Sequence, residues 1–252
     1  MLRYFAIAGL GLALWIPAAA QENQEVRVPA RNGVRPRMVK ATASNASITV
    51  KTYTGTEILV EATDGSRRGR LPERTPDGLH RIDMPPGLNI SQDGDVVDVR
   101  VPDQAHAVTI TVPTDTSVQL KSSNGPIRVD GVHGEVDASS SNGGIDLSNI
   151  SGTIVADTNN GEIRAVMDRV DPAKPISFTS ENGAIQVSLP ADLKANVKMR
   201  TVNGSIWTDF EMRLAAGQTM ERRGGTMTGT INGGGVEASF STMNGKIVIR
   251  KK

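Results

Sequence analysis

Apolar and polar positions alternate along most of this chain, and between residues 118 and 165 the alternation itself repeats every 18 residues. Apolar residues two positions apart mark strands with one buried face. Shifting the sequence by 18 positions places Ile127 on Ile145 and Ile145 on Ile163, and places Gly134 on Gly152. Each unit is therefore predicted to contain two short strands separated by two corners.

Asn-Gly pairs recur at one of the two corners, and we predict a sharp turn at each of them. Such pairs are typical of turns that need positive φ, and we expect Gly143 and Gly161 to adopt it. Asn124, Asn142 and Asn160 are also predicted to stack as an amide ladder that supports the turn. The predicted turn residues are Asn124, Gly125, Asn142, Gly143, Asn160, Gly161, Asn182, Gly183, Asn203, Gly204, Asn244 and Gly245.

Stacked β coils are the architecture that this repetition favours. Core position, turn and small residue repeat together at one spacing, as expected of units that bury their apolar faces on their neighbours. We therefore predict an all-β, single-stranded β-solenoid (β-helix) of two-strand coils. An antiparallel β-sandwich is the alternative, because its hairpins also use Asn-Gly turns. The residues predicted to stack inside are Ile127, Ile145, Ile163, Ile185, Ile206 and Ile247.

The pattern also divides the chain into regions. Residues 1–20 combine Arg3, an apolar run and a small-residue end, which predicts a secretory signal peptide. Residues 21–37 are predicted to form a polar, mobile leader and residues 38–252 the β-solenoid domain. Within that domain, 38–113 is predicted to be an irregular N-terminal capping part and 114–252 the regular repeats. The insertion at 210–223 is long enough for a short helix, and the basic residues 250–252 are predicted to protect a terminal sheet edge.

Composition narrows the classes of function. Hydrophobic residues make up 38% of the chain and aromatic residues only 3%, so the core is built from Val, Ile, Leu and Ala. The absence of cysteine excludes disulfides and thiol chemistry. Removing residues 1–20 takes away one of 28 basic residues and no acid, which leaves 27 of each sign and argues against nucleic-acid binding. The sequence after residue 20 contains no further long apolar segment, so no transmembrane helix is predicted in the mature chain.

One basic cluster departs from this balance. Arg67, Arg68, Arg70 and Arg74 lie close together in a segment rich in Gly and Pro. A solvated connecting loop is the first interpretation. Contact with anionic envelope polymers or lipid head groups is the functional alternative.

Candidate chemistry is sparse. The three histidines lack the spacing of metal ligands, and no serine lies in a nucleophile elbow. The acidic run around Asp93-Gly94 lacks the further ligands of a calcium loop and predicts a hairpin turn. We therefore predict no catalytic residue, no cofactor and no metal site. The histidines are His80, His106 and His133, and the acidic residues are Asp93, Asp95 and Asp98.

The motifs together resemble a known family. The run 109–113, followed by Asn124-Gly125-x-Ile127, Gly131-x-x-Gly134 and Asn142-Gly143-x-Ile145, is similar to the bacterial β-strand-repeat, adhesin-like domain family of unknown function, which includes autotransporter-adhesin head-like domains. The resemblance covers residues 39–252 and implies an exported β-solenoid without known catalytic residues.

A role in the bacterial cell envelope is the function that this resemblance implies. We expect a structural, adhesive or scaffolding protein in the periplasm or at the cell surface, with an envelope polysaccharide or another envelope protein as its partner. A polysaccharide-active enzyme on a β-helix fold is one alternative. An envelope-stress accessory protein that binds another protein is the other.

Overall fold

A computed structural model describes residues 24–28, 37–64, 88–103, 105–215 and 225–252. The predicted signal peptide and the basic cluster at 67–74 lie outside these residues. Every regular element in the described residues is a β-strand, so the predicted all-β class is confirmed. None of the described segments is a helix that could cross a lipid bilayer.

Twenty strands are described, and their bounds follow in chain order. They are β1 (Gln24–Val28), β2 (Arg37–Ala43), β3 (Ser47–Tyr53), β4 (Ile58–Asp64), β5 (Asn89–Asp93), β6 (Val96–Val101), β7 (Ala105–Pro113), β8 (Thr116–Ser122), β9 (Ile127–Asp130), β10 (His133–Ser140), β11 (Ile145–Thr158), β12 (Ile163–Val170), β13 (Ile176–Ser180), β14 (Ile185–Leu189), β15 (Ala195–Thr201), β16 (Ile206–Thr208), β17 (Met212–Leu214), β18 (Gly225–Ile231), β19 (Val236–Thr242) and β20 (Ile247–Lys251).

The 18-residue period of the sequence is also the separation between residues that pair across neighbouring strands. Strands β10 and β11 pair in parallel, with Gly134 opposite Gly152 and Val136 opposite Ile154. Strands β9 and β11 also pair in parallel, with Ile127 opposite Ile145. Equivalent residues of successive units are thus hydrogen-bonded neighbours, which is the pairing of stacked units and not of an antiparallel sandwich.

Two ladders of strands result, and β11 belongs to both of them. The first ladder runs β5-β6-β2-β8-β10-β11-β13-β19-β15-β18-β17. The second ladder runs β1-β4-β7-β3-β9-β11-β12-β14-β20-β16. Residues 151–158 of β11 lie in the first ladder and residues 145–148 lie in the second. The result is one sheet curled on itself.

The core lies between the two ladders as one hydrophobic cluster. In the second ladder, a column of isoleucines occupies equivalent positions in seven successive strands. In the first ladder, Phe178 and Phe240 stack with ring centroids 5.3 Å apart. All members of the column are buried except Ile206, which is half-buried. The column is Ile48, Ile127, Ile145, Ile163, Ile185, Ile247 and Ile206.

The spatial order of the units differs from their order in the sequence. The unit β2–β3 lies between β6–β7 and β8–β9, so it is an interior unit, whereas β4 and β5 of the same 38–113 part lie beyond β6–β7 at the outer end of the stack. The unit β19–β20 likewise lies between β13–β14 and β15–β16. Residues 247–249 of β20 pair with both β14 and β16, whereas Arg250 and Lys251 pair with β14 alone.

Antiparallel strands cover both ends of the stack. At the N-terminal end, β5 pairs with β6, β4 pairs with β7, and β1 pairs with β4. The predicted mobile leader at 21–37 is thus partly a strand, because Val26 and Val28 of β1 extend the core register of β4. At the other end, β18 pairs with β15, and β17 in the described part of the 210–223 insertion pairs with β18. The prediction of a short helix in this insertion falls partly on residues 216–223, which lie outside the described residues.

Candidate functional site

Asparagine side chains form a continuous ladder along one corner of the stack. From the second member onward, each amide nitrogen donates a hydrogen bond to the amide oxygen of the preceding member, with donor–acceptor distances from 2.7 to 3.0 Å. The ladder includes Asn45, which sequence reasoning missed because Ala46 replaces the usual glycine. The signal was the shared three-residue spacing from Asn45 to Ile48 and from Asn124 to Ile127. In spatial order, the ladder is Asn45, Asn124, Asn142, Asn160, Asn182, Asn244 and Asn203.

The glycines that follow these asparagines form a second column in which backbones lie unusually close. A Cβ added to Gly143 would overlap the carbonyl of Gly125, and one added to Gly161 would overlap the carbonyl of Gly143. The same holds for Gly183 over Gly161. Glycine is therefore required here because a neighbouring backbone occupies the space of a side chain.

The predicted reason for these glycines, positive φ, is wrong for Gly143 and Gly161. Neither residue lies in the left-handed region, whereas Gly131 at the opposite corner does, with φ of 79°. Gly94 also has positive φ, 56°, in the predicted hairpin turn between β5 and β6.

Hydroxyl side chains complete this corner. Thr158 donates a hydrogen bond to the carbonyl oxygen of Gly143 at 3.0 Å, and Ser180 donates one to the carbonyl oxygen of Gly161 at 3.0 Å. Thr242 and Thr201 repeat the arrangement at the C-terminal end. Amide, glycine and hydroxyl columns together satisfy polar groups along the stack, so this corner has a structural role.

A polar groove runs along the opposite corner, with a cavity volume of about 640 Å³. Its lining carries both signs of charge, and Lys174 forms an ion pair with Glu135. The hydrogen bond and the charge of Glu135 raise the pKa of Lys174 above its usual value of 10.5. His133, the exposed first residue of β10, lies here as well. The other charged lining residues are Asp115, Arg169 and Asp171.

Two carboxylates, Asp137 and Asp157, lie on the outer face of the first ladder. Asp157 is an exposed residue, and partial desolvation raises the pKa of its carboxyl above the usual value of 3.8; its two register neighbours are Ser139 and Thr179. The nearby Asp137 accepts a hydrogen bond from Gln119 at 2.9 Å. Within the described residues, no group of His, Asp and Glu could hold a metal ion.

An exposed tryptophan marks the C-terminal end of the second ladder. The side chain of Trp207 in β16 is 63% exposed, and it lies beside Lys246 and Arg250 in a depression of about 410 Å³. Sequence reasoning missed this cluster. The signal was the alternation itself, because a core position at Ile206 directs Trp207 outward. The predicted anionic contacts Arg67, Arg68, Arg70 and Arg74 lie outside the described residues.

A scan against protein-family models finds one match that spans residues 37–250, the Toastrack DUF4097 domain. The chain belongs to the Toastrack DUF4097 family. This is a domain of unknown function, and the match confirms the family resemblance expected from the repeats. A search of curated proteins finds no match to this Toastrack chain.

Two solved structures resemble the Toastrack chain. One is a putative cell adhesion protein from Clostridium sporogenes, with a TM-score of 0.51 and 9% identity, covering 92% of this chain and 100% of its own. The other is a putative adhesin from Bacteroides fragilis, with a TM-score of 0.39 and 9% identity, covering 92% of this chain and 98% of its own. At this identity, the first likeness concerns the fold.

Proposed function

We propose that this Toastrack protein is an exported, non-enzymatic β-solenoid with an adhesive or scaffolding role in the bacterial cell envelope. The observation that carries the proposal is the repeated outer surface of the two ladders. Equivalent polar residues recur in register from strand to strand, as in Ser139, Asp157 and Thr179 of the first ladder. A surface of this kind presents many similar contacts rather than one distinguished site, which suits attachment to an extended partner.

Three further observations support the proposal. Residues 1–20 have the pattern of a secretory signal peptide. The structural neighbour with the same fold is named as a putative cell adhesion protein. The asparagine ladder and the glycine column stiffen the stack without disulfides, which suits an extended protein whose chain lacks cysteine.

The geometry gives less support to a polysaccharide-active enzyme on this fold. Glycoside hydrolysis needs two carboxyl groups about 5–9.5 Å apart on either side of the bond. Asp157, the carboxyl group with a raised pKa, has hydroxyl neighbours across both strands. In the polar groove, Glu135 is already paired with Lys174.

Cell fractionation of the full tagged chain, followed by crosslinking and pull-down, tests the proposal. We expect the protein in the periplasm or at the surface, crosslinked to envelope polysaccharide or to an envelope protein. Recovery in the cytoplasm, with no crosslink to envelope material, would reject the proposed function. Recovery in the envelope with turnover of a polysaccharide would favour the enzyme.

The basic cluster at 67–74 can be tested in the same preparation. If it contacts an anionic polymer, changing its four arginines to Gln should weaken co-sedimentation with envelope material at low salt. The screening length then exceeds ~10 Å, so charges attract each other over longer distances. A control variant carries the same change at four exposed basic residues of the stack. Equal binding by wild type and the cluster variant would leave the cluster as a solvated connection. The control residues are Lys40, Lys194, Lys198 and Arg200.

A further inference from the structure

Trp207 is presented to solvent in a fixed orientation. Its side chain is 63% exposed, although tryptophan normally buries most of its large apolar surface in folded proteins. Its indole nitrogen donates a hydrogen bond to the hydroxyl of Ser205 at 2.8 Å. The polar edge of the ring is therefore satisfied within the protein, and the exposed part is apolar ring surface.

This ring lies at one end of a continuous groove on the outer face of the second ladder. A depression of about 410 Å³ contains Trp207, Lys246, Val248 and Arg250. A second depression of about 160 Å³ shares Val248 and Arg250 and continues to Arg164. Register places Trp207 beside Val248, Val248 beside Gln186, and Gln186 beside Arg164. We call these two depressions the Trp207 groove; it crosses four strands, which corresponds to about 14 Å at the usual strand spacing of ~4.8 Å.

The Trp207 groove carries positive charge at the end that contains Trp207. Lys246 and Arg250 are both exposed and form no ion pair with any other described residue. The carboxylate of Asp209 also lies here, but it accepts a hydrogen bond from the backbone nitrogen of Lys251 at 2.7 Å. Arg164 at the far end is paired with Glu162. Two cations are thus available to a ligand, and the acid beside them is already engaged.

We propose that the Trp207 groove binds an anionic oligosaccharide, such as a segment of a uronic-acid-containing envelope polymer. A sugar ring of this polymer has an apolar face that can stack on Trp207. The carboxylates of neighbouring sugar units can pair with Lys246 and Arg250. Gln186 and Ser188 line the continuing part of the groove. The amide nitrogen of Gln186 donates a hydrogen bond to Glu162, so its amide oxygen and the hydroxyl of Ser188 are the groups that can hydrogen-bond sugar hydroxyls. This inference rests on the proposed adhesive function and assigns that function a ligand class and a site.

The position in the fold favours an external ligand at this end. Among the described residues, β16 pairs only with β20, so it is the edge of the second ladder. Three of the four exposed large hydrophobic residues described lie in the last two units of the stack, namely Trp207, Val202 and Met243. The charge complementarity of Lys246 and Arg250 selects an anion as the occupant in preference to a second copy of this basic edge.

Intrinsic fluorescence can test the site directly. The chain has two tryptophans, Trp15 and Trp207, so Trp15→Phe in the full chain leaves Trp207 as the only reporter. We expect saturable fluorescence change with oligogalacturonate, weakening with added salt, and no comparable change with a maltooligosaccharide of similar length. No change with oligogalacturonate, or equal binding of the neutral oligomer, would overturn the proposal.

Variants separate the contributions, with binding measured by calorimetry when the tryptophan is removed. Trp207→Ala should weaken oligogalacturonate binding about tenfold or more, as for an aromatic anchor. Lys246→Gln with Arg250→Gln should weaken binding and remove most of its salt dependence. The matched control is Lys198→Gln with Arg200→Gln, two exposed cations on the first ladder, which should bind as wild type. Circular dichroism checks that each variant retains the β fold.

Two outcomes distinguish this site from the broader function. If Trp207→Ala still co-sediments with envelope material but wild type ignores oligogalacturonate, the adhesive function stands and this site assignment fails. If Trp207 fluorescence instead depends on protein concentration without ligand, and sedimentation shows a dimer, the groove is occupied by a second copy and the proposal is wrong. Loss of both activities with a retained fold supports the assignment.

Discussion

Replacing Gly161 with alanine should destabilise this protein through a clash between backbones rather than through a forbidden φ. Gly161 lies in the middle of the glycine column, where a Cβ would come closer than 3.0 Å to the carbonyl of Gly143 and would lie 3.0 Å from the backbone nitrogen of Gly144. The neighbouring atoms are main chain, so no side chain can rotate away. The two units would have to move apart at this corner.

The magnitude follows from the contacts that such a movement disturbs. Overpacking by a methyl group in a site that cannot relax costs about 1–3 kcal/mol. The same corner holds hydrogen bonds from Asn160 to Asn142 at 2.9 Å and from Asn182 to Asn160 at 3.0 Å. Weakening one or two solvent-exposed hydrogen bonds between asparagine side chains adds roughly 0.5–1 kcal/mol. The expected loss is about 1.5–4 kcal/mol, a large part of a typical folding free energy of about 5–15 kcal/mol.

Urea unfolding followed by far-UV circular dichroism measures this loss as a shift in the midpoint. Gly94 is the matched control, because it has φ of 56° and open space where a Cβ would lie. At Gly94, asparagine should be tolerated better than alanine, since asparagine adopts positive φ more readily. At Gly161, asparagine should be no better than alanine. A wild-type midpoint for Gly161→Ala, or rescue by Gly161→Asn, would refute the close-approach explanation.

Three further changes test other parts of the structure. Ile145→Ala should cost about 2–5 kcal/mol in urea unfolding, because its side chain is 1% exposed between Ile127 and Ile163; an unchanged midpoint would contradict the buried column. Asn160→Ala removes one donated and one accepted ladder bond, at 2.9 and 3.0 Å, and should lower stability by about 1 kcal/mol in the same assay; a variant as stable as wild type would show that the ladder contributes nothing. Because burial raises the pKa of Asp157 above 3.8, its contribution to stability is greatest below that value and falls as pH rises through the folded-state pKa. Because Asp157 is exposed and solvent screens its charge, Asp157→Asn should have only a slightly higher Tm than wild type at neutral pH, and the gap should close in acid; a gap independent of pH would exclude this cause.

The sequence was sufficient to predict which residues become neighbours within the regular repeats. The 18-residue shift that places Ile127 on Ile145 is also the register in which the two strands pair. This worked because the period of alternation and the corner spacing are both set by one stacking interface, so the whole unit repeats. The same logic predicted the isoleucine column, including the members beyond the perfect repeat at Ile185 and Ile247.

The order of the units could not be predicted, and the reason is physical. Every unit presents similar Val and Ile faces and similar corners, so each interface is compatible with more than one neighbour. Ile127 is flanked by Ile48 on one side and Ile145 on the other, although 79 residues separate it from the first and only 18 from the second. Local pattern contains no information on which compatible unit lies beside which.

The candidate groove escaped prediction because it arises where the repeat ends rather than where it is regular. Interior units have neighbours on both sides, and their outer faces repeat small or polar residues that do little alone. At β16 the neighbour on one side is absent among the described residues, and a large aromatic side chain takes the outward position that Gln186 and Arg164 hold in other strands. In a stack whose units share one kind of interface, each interior unit must pack against a neighbour on both sides. The residues of the stack can therefore change with least loss of stability in the terminal units, where one side has no neighbour. An adhesive protein of this design should therefore concentrate its specific contacts at its terminal units. The double variant Trp207→Gln with Gln186→Trp moves the tryptophan to the outward position of an interior strand. It should abolish oligogalacturonate binding while the fold is retained. Binding that survives the exchange would show that the interior face recognises the ligand as well as the end does.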